Sequence, residues 1–284
     1  MPEIKTLTVL GTGVLGSQIA YQAAFHGFAV TAYDLDGQAI EKARARFAQL
    51  AGIYRTQVAG AKDGQAEAAL ANLRLTTDLG TAVADADLVI EAVPELLELK
   101  RDMYRKLAEL APAKTIFATN SSTLLPSNLK DATGRPDRFL AIHYANNIWA
   151  QNIAEVMGTN DTDPAVFDAV VGFARNSGLE PIEIRKEKAG YVLNSLLVPL
   201  LNAAAGLLLQ GIASPETIDK TWRIATGAPT GPFQIYDVVG LGTAYNIAAS
   251  SPDVGSQAFA QYLKENYIDH GKLGVSTGEG LYTY

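Results

Sequence analysis

The sequence predicts an α/β protein: a doubly wound, mostly parallel sheet with an α-helical hairpin insertion, followed by an all-α C-terminal domain. Three observations carry this reading. Short apolar runs alternate with helical patterns as far as residue 184. The first run, residues 7–10, breaks at Gly11-Thr12-Gly13-Val14-Leu15-Gly16, and a helical pattern opens directly after it. From Gly190 onward only helical periodicity remains.

The glycine turn is G-x-G-x-x-G in its required context, after a strand and opening a helix, so the sheet is of the Rossmann type. Gly11 allows the tight turn, Gly13 removes the side chain that would block a pyrophosphate, and Gly16 lets the helix pack on the sheet. The N–H groups of Val14 and Leu15 then face the phosphates. A second strand, residues 28–33, ends in Asp34, about twenty residues on, where a dinucleotide fold keeps its ribose-binding acid. An ordinary glycine-rich turn would leave that acid to chance. Asp34 would repel a 2′-phosphate, and no arginine follows in Leu35-Asp36, so NAD (NADH) is expected over NADP(H).

A helix over about 39–59 comes next, with Ile40, Ala43, Phe47, Leu50 and Tyr54 at helical spacing. Residues 61–64 break it and a second helix runs to Asn72, making a hairpin expected to project and shape the mouth of the site. Strands follow at 73–76, within 86–93, at 115–118, 139–142, 152–157 and 180–184. Pro94 should start a helix to residue 110, and another is expected over 164–177. The domain boundary falls in the charged linker, giving 1–186 and 187–284. Helices at 192–210, 215–226, 232–249 and 256–269 fill the second domain. The first is apolar nearly all round and should be buried against the first domain or a second subunit. Pro199 should kink it and release the carbonyl of Ser195.

Composition narrows the function. The apolar fraction is 48% and the net charge −7, which disfavours nucleic acid and anionic membrane surfaces. No cysteine is present, excluding disulfides and thiolate metal sites and suiting a cytoplasmic protein. No other metal motif is found. Residues 1–5 do not read as a signal peptide, and 196–209 is too short and interrupted to span a bilayer.

In an open α/β sheet, ligands sit beyond the carboxyl ends of the strands. Gly11, Asp34, Ala92, Val93, Asn120 and Ser122 lie at such ends. Among three histidines, His26 and His270 sit at helix ends, where the dipole explains them. His143 ends a strand at the crevice. Glu155 is an acid inside the next apolar strand and needs a partner, because a lone buried carboxylate is costly. Such a pair fixes the imidazole tautomer and suits it to give a proton to a carbonyl oxygen; a structural ion pair is the plainer alternative. Ser122 and Asn194 are polar helpers, each also readable as a turn or cap residue.

These residues resemble the 3-hydroxyacyl-CoA dehydrogenase family, and within it most closely members that reduce diketo compounds. The match runs through residues 11–16, 86–95, Leu99-Lys100, 118–122, His143, Glu155-Val156, 189–194, Gly231-Pro232-Phe233 and 277–282. It implies His143 as catalytic acid/base with Glu155 as its partner, Ser122 and Asn194 holding the substrate carbonyl, and Asn146 on the substrate side. Glu95, Lys100 and Asn120 would lie near the nicotinamide and its ribose. The helical domain would form a homodimer.

Two departures bear on the substrate. The family's H-F-F-N-P-V-P becomes His143-Tyr144-Ala145-Asn146-Asn147-Ile148-Trp149, and Val275-Ser276 replaces a basic pair. In the hairpin, Arg55 and Lys62 are balanced by Asp63 and Glu67, a poor match for the phosphates of CoA. Asn146 and Trp149 add polar and aromatic surface. The expected activity is NADH-dependent reduction of a β-keto or β,δ-diketo ester or acid, a small-molecule substrate. Acyl-CoA dehydrogenation, sugar-acid (L-gulonate-type) dehydrogenation and non-catalytic NAD(H) binding are the alternatives.

Overall fold

A computed structural model describes residues 4–61 and 64–284. The chain divides into two compact units, the second being Leu193–Tyr284.

The first unit is built on an eight-stranded sheet: β1 (Thr6–Leu10), β2 (Ala29–Tyr33), β3 (Leu73–Thr76), β4 (Leu88–Glu91), β5 (Ile116–Thr119), β6 (Phe139–Tyr144), β7 (Ile153–Gly158) and β8 (Glu180–Ile184). The strand order is β3-β2-β1-β4-β5-β6-β7-β8. Every pair is parallel except β6 with β7. The order reverses between β1 and β4, the point where a doubly wound sheet opens a ligand crevice. Helices α1 (Val14–Phe25), α2 (Gly37–Gln57), α3 (Gln65–Ala68), α4 (Leu79–Val83), α5 (Leu97–Leu110) and α6 (Pro164–Asn176) surround it. Alternate strand residues feed two cores. Val9, Ile90, Ala118 and Ile142 pack with α1, α2 and α6, while Leu10, Val89, Phe117 and Phe139 pack with α4 and α5.

Several elements differ from the sequence expectation. The hairpin does not project: both its arms are tied to α1. The Tyr54 hydroxyl donates to Gln22, the Tyr21 hydroxyl to the Ala66 carbonyl, and Asn72 Nδ2 to the Ala24 carbonyl at 3.0 Å. Its second arm is only α3 and a 3₁₀ turn, Ala69–Asn72. Lys62 and Asp63 lie outside the described residues. Pro94 does not start α5. A tight turn with Leu96 N–H on the Pro94 carbonyl (2.8 Å) intervenes, leaving Glu95 outside the helix. His143 lies inside β6 rather than beyond its end, because the ladder with β7 extends to Tyr144.

The second unit holds α7 (Tyr191–Leu209, its first two residues belonging to the sheet unit), α8 (Pro215–Thr226), α9 (Pro232–Val239), α10 (Leu241–Ala249) and α11 (Val254–Asn266). Residues 232–249 form two helices, not one, because Gly240 at φ 93° breaks them. Two buried aspartates organise the unit. Asp219 accepts the N–H groups of Phe233 and Gln234, both at 2.9 Å, satisfying the start of α9. Asp237 accepts those of Leu281 and Tyr282, both at 2.8 Å, fastening the C-terminal turn. Helix α7 runs on through Pro199. At 19 residues and mean hydropathy 1.9 it is long and apolar enough, by length and composition alone, to cross a membrane. It exceeds the interrupted run 196–209 because the helix begins at Tyr191. In the single chain Leu196 of α7 is 70% exposed and Val198 44%.

Candidate active site

The turn after β1 has the geometry of a phosphate cradle. Gly11 takes φ 93° and its Cα faces the Ala92 carbonyl so closely that a side chain would meet it at 2.7 Å. A Cβ on Gly16 would overlap the Gly11 carbonyl. Gly13 instead faces open space. The first turn of α1 has no side-chain cap, so its N–H groups remain for an anion. Asp34, at the end of β2, is pinned: its Oδ2 accepts the Thr12 N–H (2.8 Å) and hydroxyl (2.6 Å), and its Oδ1 the Leu35 N–H (2.8 Å). Burial alone would raise this carboxyl. The hydrogen bonds from Thr12 and Leu35, with the Arg46 charge, outweigh it and hold the group below the usual range. An arginine does therefore stand here, against the sequence expectation. Arg46 reaches back from α2 and donates to the Thr12 carbonyl at 3.0 Å.

Beyond β4, charge is concentrated around Lys100. This lysine is 1% exposed, and its ammonium meets Glu91 at 2.5 Å, Glu95 at 3.2 Å and the Val93 carbonyl at 3.2 Å. These three contacts occupy the ammonium, so Lys100 ties Glu91 to Glu95. Glu91 also accepts from Thr119 (2.9 Å) and the Val93 N–H (2.9 Å). Burial raises its carboxyl, and Lys100 and these hydrogen bonds pull it back only in part. Glu95 Oε1 gathers the turn after β5, accepting from the Ser121 hydroxyl, the Thr123 N–H (3.0 Å) and the Thr123 hydroxyl (2.8 Å). These bonds overcome its partial burial and lower its carboxyl to about 2. Glu91 was not anticipated, although an acid in an apolar strand is the same signal that singled out Glu155.

His143 and Glu155 are direct cross-strand partners in the antiparallel β6–β7 ladder. Opposed residues share a face, so the two side chains meet: Nδ1 lies 2.9 Å from Glu155 Oε2. The second oxygen, Oε1, accepts the Val192 N–H at 2.9 Å. With Glu155 on Nδ1, the other ring nitrogen is turned to Ser122, whose Oγ lies 3.0 Å from Nε2. The histidine and glutamate are 5% and 1% exposed. In water-poor surroundings the pair can hold and deliver one proton at Nε2. Tyr191, stacked on the imidazole, was not anticipated as a site residue.

The remaining expected residues are distributed less tightly. Asn120 Oδ1 accepts the Tyr144 N–H at 3.2 Å, bracing the end of β6. Asn146 is exposed on the loop that follows. That loop is held by buried Gln18, whose Oε1 accepts the N–H groups of Asn147 (2.8 Å) and Ile148 (3.2 Å). Trp149 leans on Tyr54, and its indole N–H is taken by Gln57 at 2.8 Å, so it braces the loop against α2. Asn194 is half-buried in the first turn of α7.

Comparison with known sequences decides what this arrangement belongs to. The profile of the 3-hydroxyacyl-CoA dehydrogenase NAD binding domain matches residues 6–188, and that of the 3-hydroxyacyl-CoA dehydrogenase C-terminal domain matches residues 190–284. The chain belongs to the 3-hydroxyacyl-CoA dehydrogenase family. It is therefore an NAD-dependent oxidoreductase acting on CH–OH groups, which disposes of a non-catalytic binder. Relatives of this dehydrogenase include the mitochondrial hydroxyacyl-coenzyme A dehydrogenase of Rattus norvegicus, 35% identical over 99% of this chain and 91% of the relative. A diketoreductase that acts on dicarbonyl compounds is similar over both whole chains, with 66% identity and a TM-score of 0.95. A 5-formyl-3-hydroxy-2-methylpyridine 4-carboxylic acid 5-dehydrogenase, an NAD+-dependent dismutase, is 29% identical with a TM-score of 0.76, covering 99% of this chain and 91% of that one.

Proposed function

We propose that this dehydrogenase is an NADH-dependent reductase of β-keto or β,δ-diketo esters or acids, with His143 as proton donor. The observation that carries the reading is the line Ser122–His143–Glu155, with contacts of 3.0 and 2.9 Å. NADH, when bound, supplies the hydride. Glu155 accepts the hydrogen bond from Nδ1–H and so stabilises the imidazolium, whose Nε2–H protonates the carbonyl oxygen as it gains charge and leaves a neutral imidazole. The Ser122 hydroxyl stands where that oxygen would be held, and Asn194 is assigned as its second holder. Orientation by these groups supplies the proximity term.

Two observations favour a compact substrate over a CoA thioester. Arg55 is already paired with Glu67 at 2.6 Å, leaving it poorly disposed toward phosphate. The 66% identical relative is a diketoreductase. We also assign α7 as a dimer helix, on its exposed apolar side chains and the resemblance to dimeric members of the family.

Side-by-side kinetics with acetoacetyl-CoA, a β,δ-diketo ester and a sugar acid test the substrate. The diketo ester should give the highest kcat/KM. If acetoacetyl-CoA exceeds it by about a hundredfold, worth about 2.7 kcal/mol of transition-state binding, the chain is an ordinary hydroxyacyl-CoA dehydrogenase.

A further inference from the structure

Residues 190–192 touch every member of the Ser122–His143–Glu155 line. The Gly190 N–H donates to the Ser122 carbonyl at 3.1 Å. The Val192 N–H donates to Glu155 Oε1 at 2.9 Å. Between them, the Tyr191 ring lies flat on the imidazole of His143, with centroids 4.4 Å apart and planes 13° from parallel. The Tyr191 hydroxyl donates to the Ser121 carbonyl at 2.8 Å, so the ring is fixed at both ends. Tyr191 is 1% exposed and sits at φ 52°, a conformation that a bulky side chain adopts only where its surroundings impose it.

We infer that Tyr191 is a positioning residue that fixes the plane of the His143 imidazole and favours its protonated form. The face of an aromatic ring carries partial negative charge and attracts a cation laid upon it, more strongly where water is excluded. Protonated imidazole is such a cation; neutral imidazole gains less. Glu155 from β7 meets the ring edge at Nδ1, and Ser122 from the turn after β5 meets Nε2. The charges of Glu155, Glu95 and Glu91 also reach Tyr191. Burial first, and these carboxylates second, push the phenol far up, so it stays neutral and keeps its proton for Ser121. The stack therefore adds to Glu155 rather than competing with it.

The consequence for turnover rests on His143 being the proton donor, but the stack can be tested without that assumption. NMR titration of ring-labelled histidines would follow His26, His143 and His270, with His143→Asn giving the assignment. Tyr191→Phe keeps the ring face and loses only the hydroxyl. Tyr191→Leu removes the face without adding a β-branch at the positive φ. The His143 titration should stay near wild type in Tyr191→Phe and fall by about 0.5–1 pH unit in Tyr191→Leu, with His26 and His270 unmoved. An unchanged His143 titration in Tyr191→Leu, or an equal fall in both variants, would overturn the inference. A His143 shift that the pH limit of ketone reduction does not follow would leave the stack intact and count against His143 as donor.

Discussion

Asp34 ends β2 with Oδ2 held by the Thr12 N–H and hydroxyl, at 2.8 and 2.6 Å, and with Arg46 close by on the Thr12 carbonyl. On the proposed reading the carboxylate would accept ribose hydroxyls and repel a 2′-phosphate, while the arginine would welcome one. Asp34→Ala should raise the kcat/KM ratio of NADPH to NADH by about ten- to a hundredfold, which is about 1.4–2.7 kcal/mol. An unchanged ratio would mean that the carboxylate does not face the adenine ribose. At this scale the sequence was informative where the local pattern sufficed. Asp34 follows a strand at the right distance, and Glu155 interrupts an apolar run. Arg46 was hidden because it stands twelve residues after Asp34, and only the course of α2 brings it back to the glycine turn.

The turn from β4 to α5 is held by charge as well as by apolar packing. Lys100 bridges Glu91 and Glu95, and Glu95 in turn fastens the turn that carries Ser122. Lys100→Met would leave Glu91 buried with an unpaired charge. The expected loss is about 3–5 kcal/mol of stability, read from urea unfolding. A loss below about 1 kcal/mol would show that Glu91 simply takes up a proton and that the bridge matters little. Element existence was well marked by apolar periodicity: β3, β8 and α8 fall on the expected residues. Boundaries and attitudes were not. The hairpin was legible as two arms, but periodicity does not say what a helix leans on, and here buried hydroxyls of Tyr54 and Tyr21 tie it to α1. Gly240 falls inside the helix expected over 232–249, and its positive φ breaks it.

On the scale of the whole molecule, α7 is the feature that an isolated chain leaves unexplained. Its Leu196, Val198 and Leu207 side chains are substantially exposed. Apolar surface of this kind is ordinarily covered by a partner. Light scattering at micromolar concentration should return a dimer mass, and a monomer mass would contradict the assignment of α7. The division of labour between the sheet unit and the helical unit was legible because the alternation of strand and helix stops near residue 184. The substrate was not, because loop side chains such as Asn146 carry no periodic signal and charge pairing, as with Arg55 and Glu67, appears only on folding.

On the proposed reading His143, held by Glu155, gives the proton during ketone reduction. His143→Asn tests it most directly, with turnover and NADH binding measured on the same preparation. Turnover should fall by about 10²–10⁴ in kcat, with NADH affinity by fluorescence unchanged. A variant within a few-fold of wild-type turnover would contradict it and assign the proton to another group.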